Sequence, residues 1–287
     1  MASDSTLDGV AEMKVERHIV GSLIRDVGDE LGVFSLEVYR KISPRKATLL
    51  QGLPGLGLVG KLAVEMLIEH FSAEPVARLY SEYMFLPDGN VGVGISNGKE
   101  LSYITIDFYY AATSSGEELI LMTAQTQPVN WGQYRTLQKV LDLARSWRVR
   151  RVVSLGGFAM DRVGEEREAY VAASSKALLR EFTKCGAKVL RGGYVTGACG
   201  LIVGLAAISD FESATLLGVT HGKYPDPRGA KAVIDVLDKM YKIDFRTEIV
   251  ERKIKEVEKT LKLTREMKEI VSRRGEAIQR PEYPYTV

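Results

Sequence analysis

Leu49-Leu50-Gln51-Gly52-Leu53-Pro54-Gly55-Leu56-Gly57-Leu58-Val59-Gly60-Lys61-Leu62-Ala63 is the stretch whose reading decides the fold. The aliphatic run from Ala47 to Leu50 reads as a strand. It feeds a turn with four glycines in nine residues, at 52, 55, 57 and 60. A helical pattern follows, with Leu58, Leu62, Met66 and Phe71 on one side. Glycines in such a turn let the backbone reverse sharply and let a helix press on the strand before it.

Gly55, Gly57 and Gly60 also fit G-x-G-x-x-G, the pattern that seats a dinucleotide pyrophosphate on a helix N-terminus. That chemistry requires an acidic residue about 20 positions further on. Glu82, before the Pro87-Asp88-Gly89-Asn90 turn, is the residue at hand, and its setting is not compelling. Pro54 is foreign to a cofactor loop. Packing of helix on strand is therefore the reading adopted, and no cofactor is expected.

Outward from this stretch, strands and helices alternate, which means α/β with a largely parallel sheet covered on both faces. Val33–Tyr39 alternates as a strand. Val76–Phe85 is a strand, and Val91–Ser96 with Leu101–Tyr110 forms a hairpin across Asn97-Gly98. Glu118–Gln125 is apolar enough to be covered on both faces. Tyr134–Trp147 is a helix with Leu137, Val140, Leu141 and Ala144 inward. Arg151–Leu155 is a strand closed by Gly156-Gly157, and a helix spans about Glu168–Lys184, capped by Gly186. Lys188 opens a strand, Thr196–Gly200 makes a second glycine turn into a helix, and Thr215–Thr220 closes the sheet. Pro225-Asp226-Pro227 then breaks the chain ahead of a helix from Gly229 facing inward with Val233, Val236, Leu237, Met240 and Tyr241.

Four segments result: a loose arm over 1–30, an α/β domain over 31–244, a charged amphipathic helix over 245–274, and a tail over 275–287. Val250, Ile254, Val257 and Leu261 form two heptad-like repeats that slip to Leu263, Met267 and Ile270. Such a stripe covers either its own domain or a second subunit.

Composition narrows the function. The chain has 287 residues, 45% of them hydrophobic, and 39 basic against 37 acidic residues give a net charge of +2. That balance sets aside DNA as a partner of the whole surface. Cys185 and Cys199, and the scattered His18, His70 and His221, make neither a disulfide framework nor a metal site. The polar N-terminus lacks a signal-peptide pattern. The longest apolar run, Leu201–Ile208, is too short for a bilayer. A cytoplasmic protein is expected.

Sites of chemistry are sought at strand C-terminal ends. Gln125, Gln127 and Asn130 follow one strand, Gly156, Gly157, Asp161, Arg162, Glu165 and Glu166 another, and Thr196 a third. With Gly55 and Gly57 they outline a possible crevice, although a plain polar rim is the preferred reading. A Gly-x-Ser-x-Gly elbow is absent, and Gly60-Lys61 is followed by Leu62 rather than a magnesium-binding hydroxyl. Arg145, Arg148, Arg150 and Arg151 around Trp147 form a basic cluster. It suits phosphate or a stacked base, or more simply the negative end of a helix dipole.

Several motifs together resemble the proteasome assembly chaperone 2 family, in its archaeal branch. They are Gly52-x-Pro54-Gly55-x-Gly57-x-Val59-Gly60, then Gln127 and the helix into Val152–Gly157. Gly197-Ala198-Cys199-Gly200 with Gly204, and Pro225-Asp226-Pro227-x-x-Ala230, complete the set. The resemblance spans about residues 30–245. It implies a fold related to nucleoside phosphorylases but used for binding, self-association, and docking on the proteasome α-ring through a C-terminal hydrophobic–Tyr–any tripeptide. Here Tyr285, Thr286 and Val287 end the chain, so tyrosine is shifted by one, and Tyr283-Pro284-Tyr285 offers a second aromatic anchor. The expected function is a non-enzymatic homo-oligomeric adaptor. The alternatives are a nucleoside- or nucleotide-acting enzyme at the crevice, or a ribosome-binding factor using the arginines.

Overall fold

The structure, a computed structural model, describes residues 34–96 and 100–274. The arm over 1–30, the Asn97-Gly98 turn and the tail with Tyr283, Tyr285, Thr286 and Val287 lie outside the described residues.

The glycine-rich stretch folds as read. β2 (Ala47–Gly52) is buried along its whole length, a 3-10 turn covers Leu56–Leu58, and α1 spans Val59–Phe71. Gly57 (φ 58°) and Leu58 (φ 51°) both take left-handed backbone. For Gly57 this is free of strain, whereas Leu58 carries a cost of about 1 kcal/mol. α1 comes so close to the sheet that a Cβ at Gly60 would overlap the Leu155 carbonyl.

The nine-stranded sheet has the order β1-β3-β6-β7-β2-β8-β11-β9-β10. Its other strands are β1 (Phe34–Val38), β3 (Glu74–Ser81), β6 (Thr105–Ala112), β7 (Glu118–Ala124), β8 (Val149–Ala159), β9 (Ala169–Ala173), β10 (Lys188–Val189) and β11 (Glu212–Thr220). The block β7-β2-β8-β11 is parallel. β1, β3, β6 and β7 pair antiparallel, as does β9 with β11. β10 again pairs parallel with β9 at the edge, so the sheet is mixed rather than largely parallel as expected, with a continuous parallel block only at its centre. A small separate hairpin, β4 (Gly94–Ser96) with β5 (Glu100–Ser102), takes up the start of the hairpin read from sequence, and the rest of its second strand joins the main sheet as β6.

Helices cover both faces. α2 (Gln133–Ser146) and α4 (Gly197–Ile208) bury Leu137, Val140, Leu141, Ile202 and Ala206 with Leu49, Phe108, Met122 and Val152. α1 and α5 (Pro227–Tyr241) pack on each other and on β11, and α3 (Lys176–Lys184) lies beside β9 and β10.

Several boundaries differ from the sequence reading: the strand expected over Val76–Phe85 runs from Glu74 to Ser81, and two further differences bear on the architecture. The helix expected from Glu168 begins only at Lys176, because Tyr170-Val171-Ala172 pairs with Leu217-Leu216-Thr215 of β11 as a strand. Ser175 is the true cap: its Oγ accepts from Leu178 N at 3.1 Å. Gly156 and Gly157 do not close β8. They pair with Leu217 and Gly218 inside the ladder, and at Gly157 the missing side chain makes room for the Leu56 carbonyl.

The described chain divides into two compact units, one through Phe245 and one from Arg246. The second is built on α6 (Glu248–Arg274), with Glu248 and Glu251 in its first turn and Lys253 pairing Glu256 at 2.9 Å. Ile254, Val257 and Leu261 are half-buried, while Leu263 is 51% exposed.

Candidate functional site

The C-terminal ends of β2, β7, β8 and β11 converge as the parallel block requires. Of the residues expected to line a crevice, Gly55, Gly57, Gln127 and Gly157 meet there. The side chain of Gln127 spans the gap. Its Nε2 donates to the Pro54 carbonyl, and its Oε1 accepts from Ala198 N at 3.0 Å. Gln127 therefore caps α4, a task that Thr196 beside the helix does not perform. A Cβ at Gly55 would stand 3.9 Å from Gln127 Nε2, and one at Gly57 would lie 2.5 Å from Thr220 Oγ1. Asp161 is exposed in the loop beyond β8 and enters no ion pair among the described residues.

This bridge yields a prediction. In Gln127→Glu an acceptor faces the Pro54 carbonyl and the donated hydrogen bond is lost. A loss of about 1–3 kcal/mol is expected from urea unfolding. Unchanged stability would mean that Gln127 does not hold the two elements together.

The turn is fastened on its other side by Asp226, whose importance local pattern hid. Asp226 N donates to Gly57 O at 2.8 Å. Its Oδ1 accepts from Gly229 N at 3.0 Å and caps α5 behind Pro227 at the first helical position. Its Oδ2 pairs with Arg167 Nε at 3.3 Å, with the two side chains only 9% and 4% exposed. His221 Nε2 stands 4.0 Å from the same oxygen. The Pro-Asp-Pro break was visible in sequence, but nothing near Arg167 announced its partner.

Beneath the crevice runs a buried polar chain. Ser154 bonds Gln51 Oε1 and lies 3.0 Å from Cys199 Sγ, which is 3.5 Å from Thr215 Oγ1. Burial pushes the Cys199 thiol up, away from the reactive thiolate. Gln51 Nε2 is buried without a hydrogen-bond partner among the described residues. Among the described residues no group of three His, Cys, Asp or Glu side chains is placed to hold a metal ion.

The arginine cluster lies at the opposite, N-terminal ends of β8 and β11. Arg145 donates to the Ser209 carbonyl at 2.9 Å and stacks over Phe211. Arg150 pairs with Glu212, and Arg151 reaches Glu212 and Glu181, both at 2.8 Å. Trp147 packs edge-on against Phe108, 5.1 Å away, in the core. Arg148 is exposed in a left-handed turn. Burial raises the Glu212 carboxyl, but hydrogen bonds and charge from Arg150 and Arg151 outweigh it and hold the group below the usual carboxylate range. A depressed folded-state pKa adds stability above the unfolded value, about 4.3, that is lost as pH falls through the folded one. Glu212→Gln should therefore flatten the acid limb of stability against pH by about 1 kcal/mol or less, the group being partly exposed. An identical acid limb in wild type and variant would remove Glu212 from that account.

Fold and site together define an α/β domain whose glycine turn is clamped by its own side chains. The chain belongs to the PAC2 family, whose model matches residues 49–264. It is 29% identical over 233 residues to an uncharacterized protein of Methanocaldococcus jannaschii, covering 80% of this chain and 88% of that one. The crystal structure of Pyrococcus furiosus PbaB, described as an archaeal proteasome activator, superposes with a TM-score of 0.72 at 26% identity. It covers 81% of this chain and 98% of that one. P. furiosus PbaA, described as an archaeal homolog of proteasome-assembly chaperone, shares the fold with a TM-score of 0.67 at 22% identity over 83% and 95% of the two chains. Among the described residues no helix is long and apolar enough to cross a membrane.

Proposed function

We propose that this protein is a non-enzymatic, homo-oligomeric adaptor of the cytoplasm that assembles or activates the 20S proteasome. The observation that carries the reading is the 26% identity to a proteasome activator along 81% of this chain. The α/β unit supplies the rigid body, and the tail engages the α-ring with Tyr283, Tyr285, Thr286 and Val287. Aromatic rings beside a terminal carboxylate suit a pocket with a lysine at its rim. Kinship with nucleoside phosphorylases is, on this reading, one of scaffold.

Support for a non-catalytic role comes from the crevice, where Gln127 and Thr220 stand against the glycine turn that a nucleotide would need. Ribosome binding through the arginines has no such support, since Arg145, Arg150 and Arg151 bond to their own chain. Deleting Tyr285–Val287 should abolish recovery of proteasome α-rings on the immobilised protein. Undiminished recovery would end the tail-docking assignment. Nucleosides, nicotinamide cofactors and phosphate should each leave the melting temperature unchanged. A rise of several degrees with one class would instead indicate an enzyme.

A further inference from the structure

At the β10 edge of the sheet, a cleft of about 550 Å³ is lined by Phe158, Tyr170, Lys188, Val189, Leu190, Arg191 and Gly192. Its floor is aromatic: the rings of Phe158 and Tyr170 lie 5.3 Å apart. Its two cations are not equivalent. Lys188 is neutralised by Glu168, which also accepts from the Tyr170 hydroxyl at 3.1 Å. Arg191 is exposed and takes part in no ion pair or hydrogen bond among the described residues. No carboxylate lines the cleft itself.

The backbone is also open here. β10 pairs with β9 on one side, and Leu190 N continues the ladder to Val171 O at 2.9 Å. Strand alternation turns the N–H and C=O of Val189 the other way, where no strand of the described residues follows. Val189 is 40% exposed. An unoccupied strand edge is a template for a further strand.

We propose that this cleft docks an extended acidic segment of a partner protein, running along β10, with an aromatic side chain on the Phe158–Tyr170 floor and a Glu or Asp carboxylate on Arg191. Charge complementarity selects the acid, since the lining offers one uncompensated cation and no anion. The aromatic floor selects the ring by edge or offset stacking. The site does not rest on tail docking and lies in the α/β unit.

The probe is a fluorescein-labelled peptide amide, Gly-Ser-Glu-Thr-Tyr-Ser, titrated against the full chain by fluorescence polarisation. Saturable binding is expected, weakened about tenfold by Arg191→Glu. A peptide with Lys in place of Glu should bind the wild type about tenfold less well and recover on Arg191→Glu. Arg191 is exposed, so the variant keeps its fold, and an unchanged melting temperature checks this. Absence of saturable binding at millimolar protein, or equal affinity for wild type and Arg191→Glu, would overturn the proposal. So would binding confined to peptides with a free terminal carboxylate. Proteasome recovery by Arg191→Glu reads the tail separately and should be normal.

Discussion

Gly60→Ala is expected to lower stability by about 3 kcal/mol, near the upper end for overpacking a close contact. Helix α1 lies on β8 at this point, and a Cβ would overlap the Leu155 carbonyl, which is backbone and cannot rotate away. Relief requires α1 to lift from the sheet. That would loosen the burial of Leu62, Met66 and Leu67, all buried now. For a domain of this size the loss corresponds to about 6–12 °C in melting temperature. Gly204→Ala in α4 is the control. It is a helical glycine with nothing within 4 Å of an added Cβ. Removing its backbone freedom should raise stability by about 0.5–1 kcal/mol. Opposite signs for the two variants would separate contact from propensity. Equal melting temperatures for wild type and Gly60→Ala would show that the glycine is not there for contact.

Asp226→Ala is expected to cost about 3–5 kcal/mol, the range for breaking a buried ion pair by removing one partner. Arg167 would keep its charge in a site where its side chain is 9% exposed. His221 cannot replace a carboxylate, because it brings no negative charge. The cap on Gly229 N goes as well, which contributes about 1 kcal/mol. Asp226→Asn should return part of the cap but not the ion pair. A cycle with Arg167→Met separates the two parts: the double variant should lose less than the sum of the singles, since neither charge is then stranded. Strict additivity in chemical denaturation would mean that Arg167 and Asp226 do not act as a pair.

The two variants also mark the boundary between what was legible in the sequence and what was not. The strand, turn and helix around Gly60 were plain, because turn chemistry and a 3.6-residue period are local signals. So were α2, whose four inward residues are all buried, and α5, although there Ile234 is buried and Met240 only partly so. β9 was missed because a helix pattern through Lys176–Lys184 was extended backwards over Tyr170-Val171-Ala172, a segment whose strand identity comes only from its place beside β11. Gly156 and Gly157 read as a stop in the sequence because the groups that approach them, Cys199 and the Leu56 carbonyl, lie in other parts of the chain. Gly55, Gly57 and Gln127 stand after β2 and β7, where the sequence placed them, whereas Gly157 lies inside β8. Neither the capping of α4 by Gln127 nor the Arg167–Asp226 pair was found.

By itself the sequence determined the alternation of elements, the turn that joins β2 to α1, the two-sided burial of the central strands and the membership of the PAC2 family. Tertiary structure alone decided strand direction at the sheet's flanks, the strand identity of β9, and which polar groups meet. Arg167 finds Asp226 across 59 residues and Gln127 finds Ala198 across 71. No period or spacing encodes such a meeting. It follows from packing, which brings distant groups into a site too dry to leave either of them without a partner.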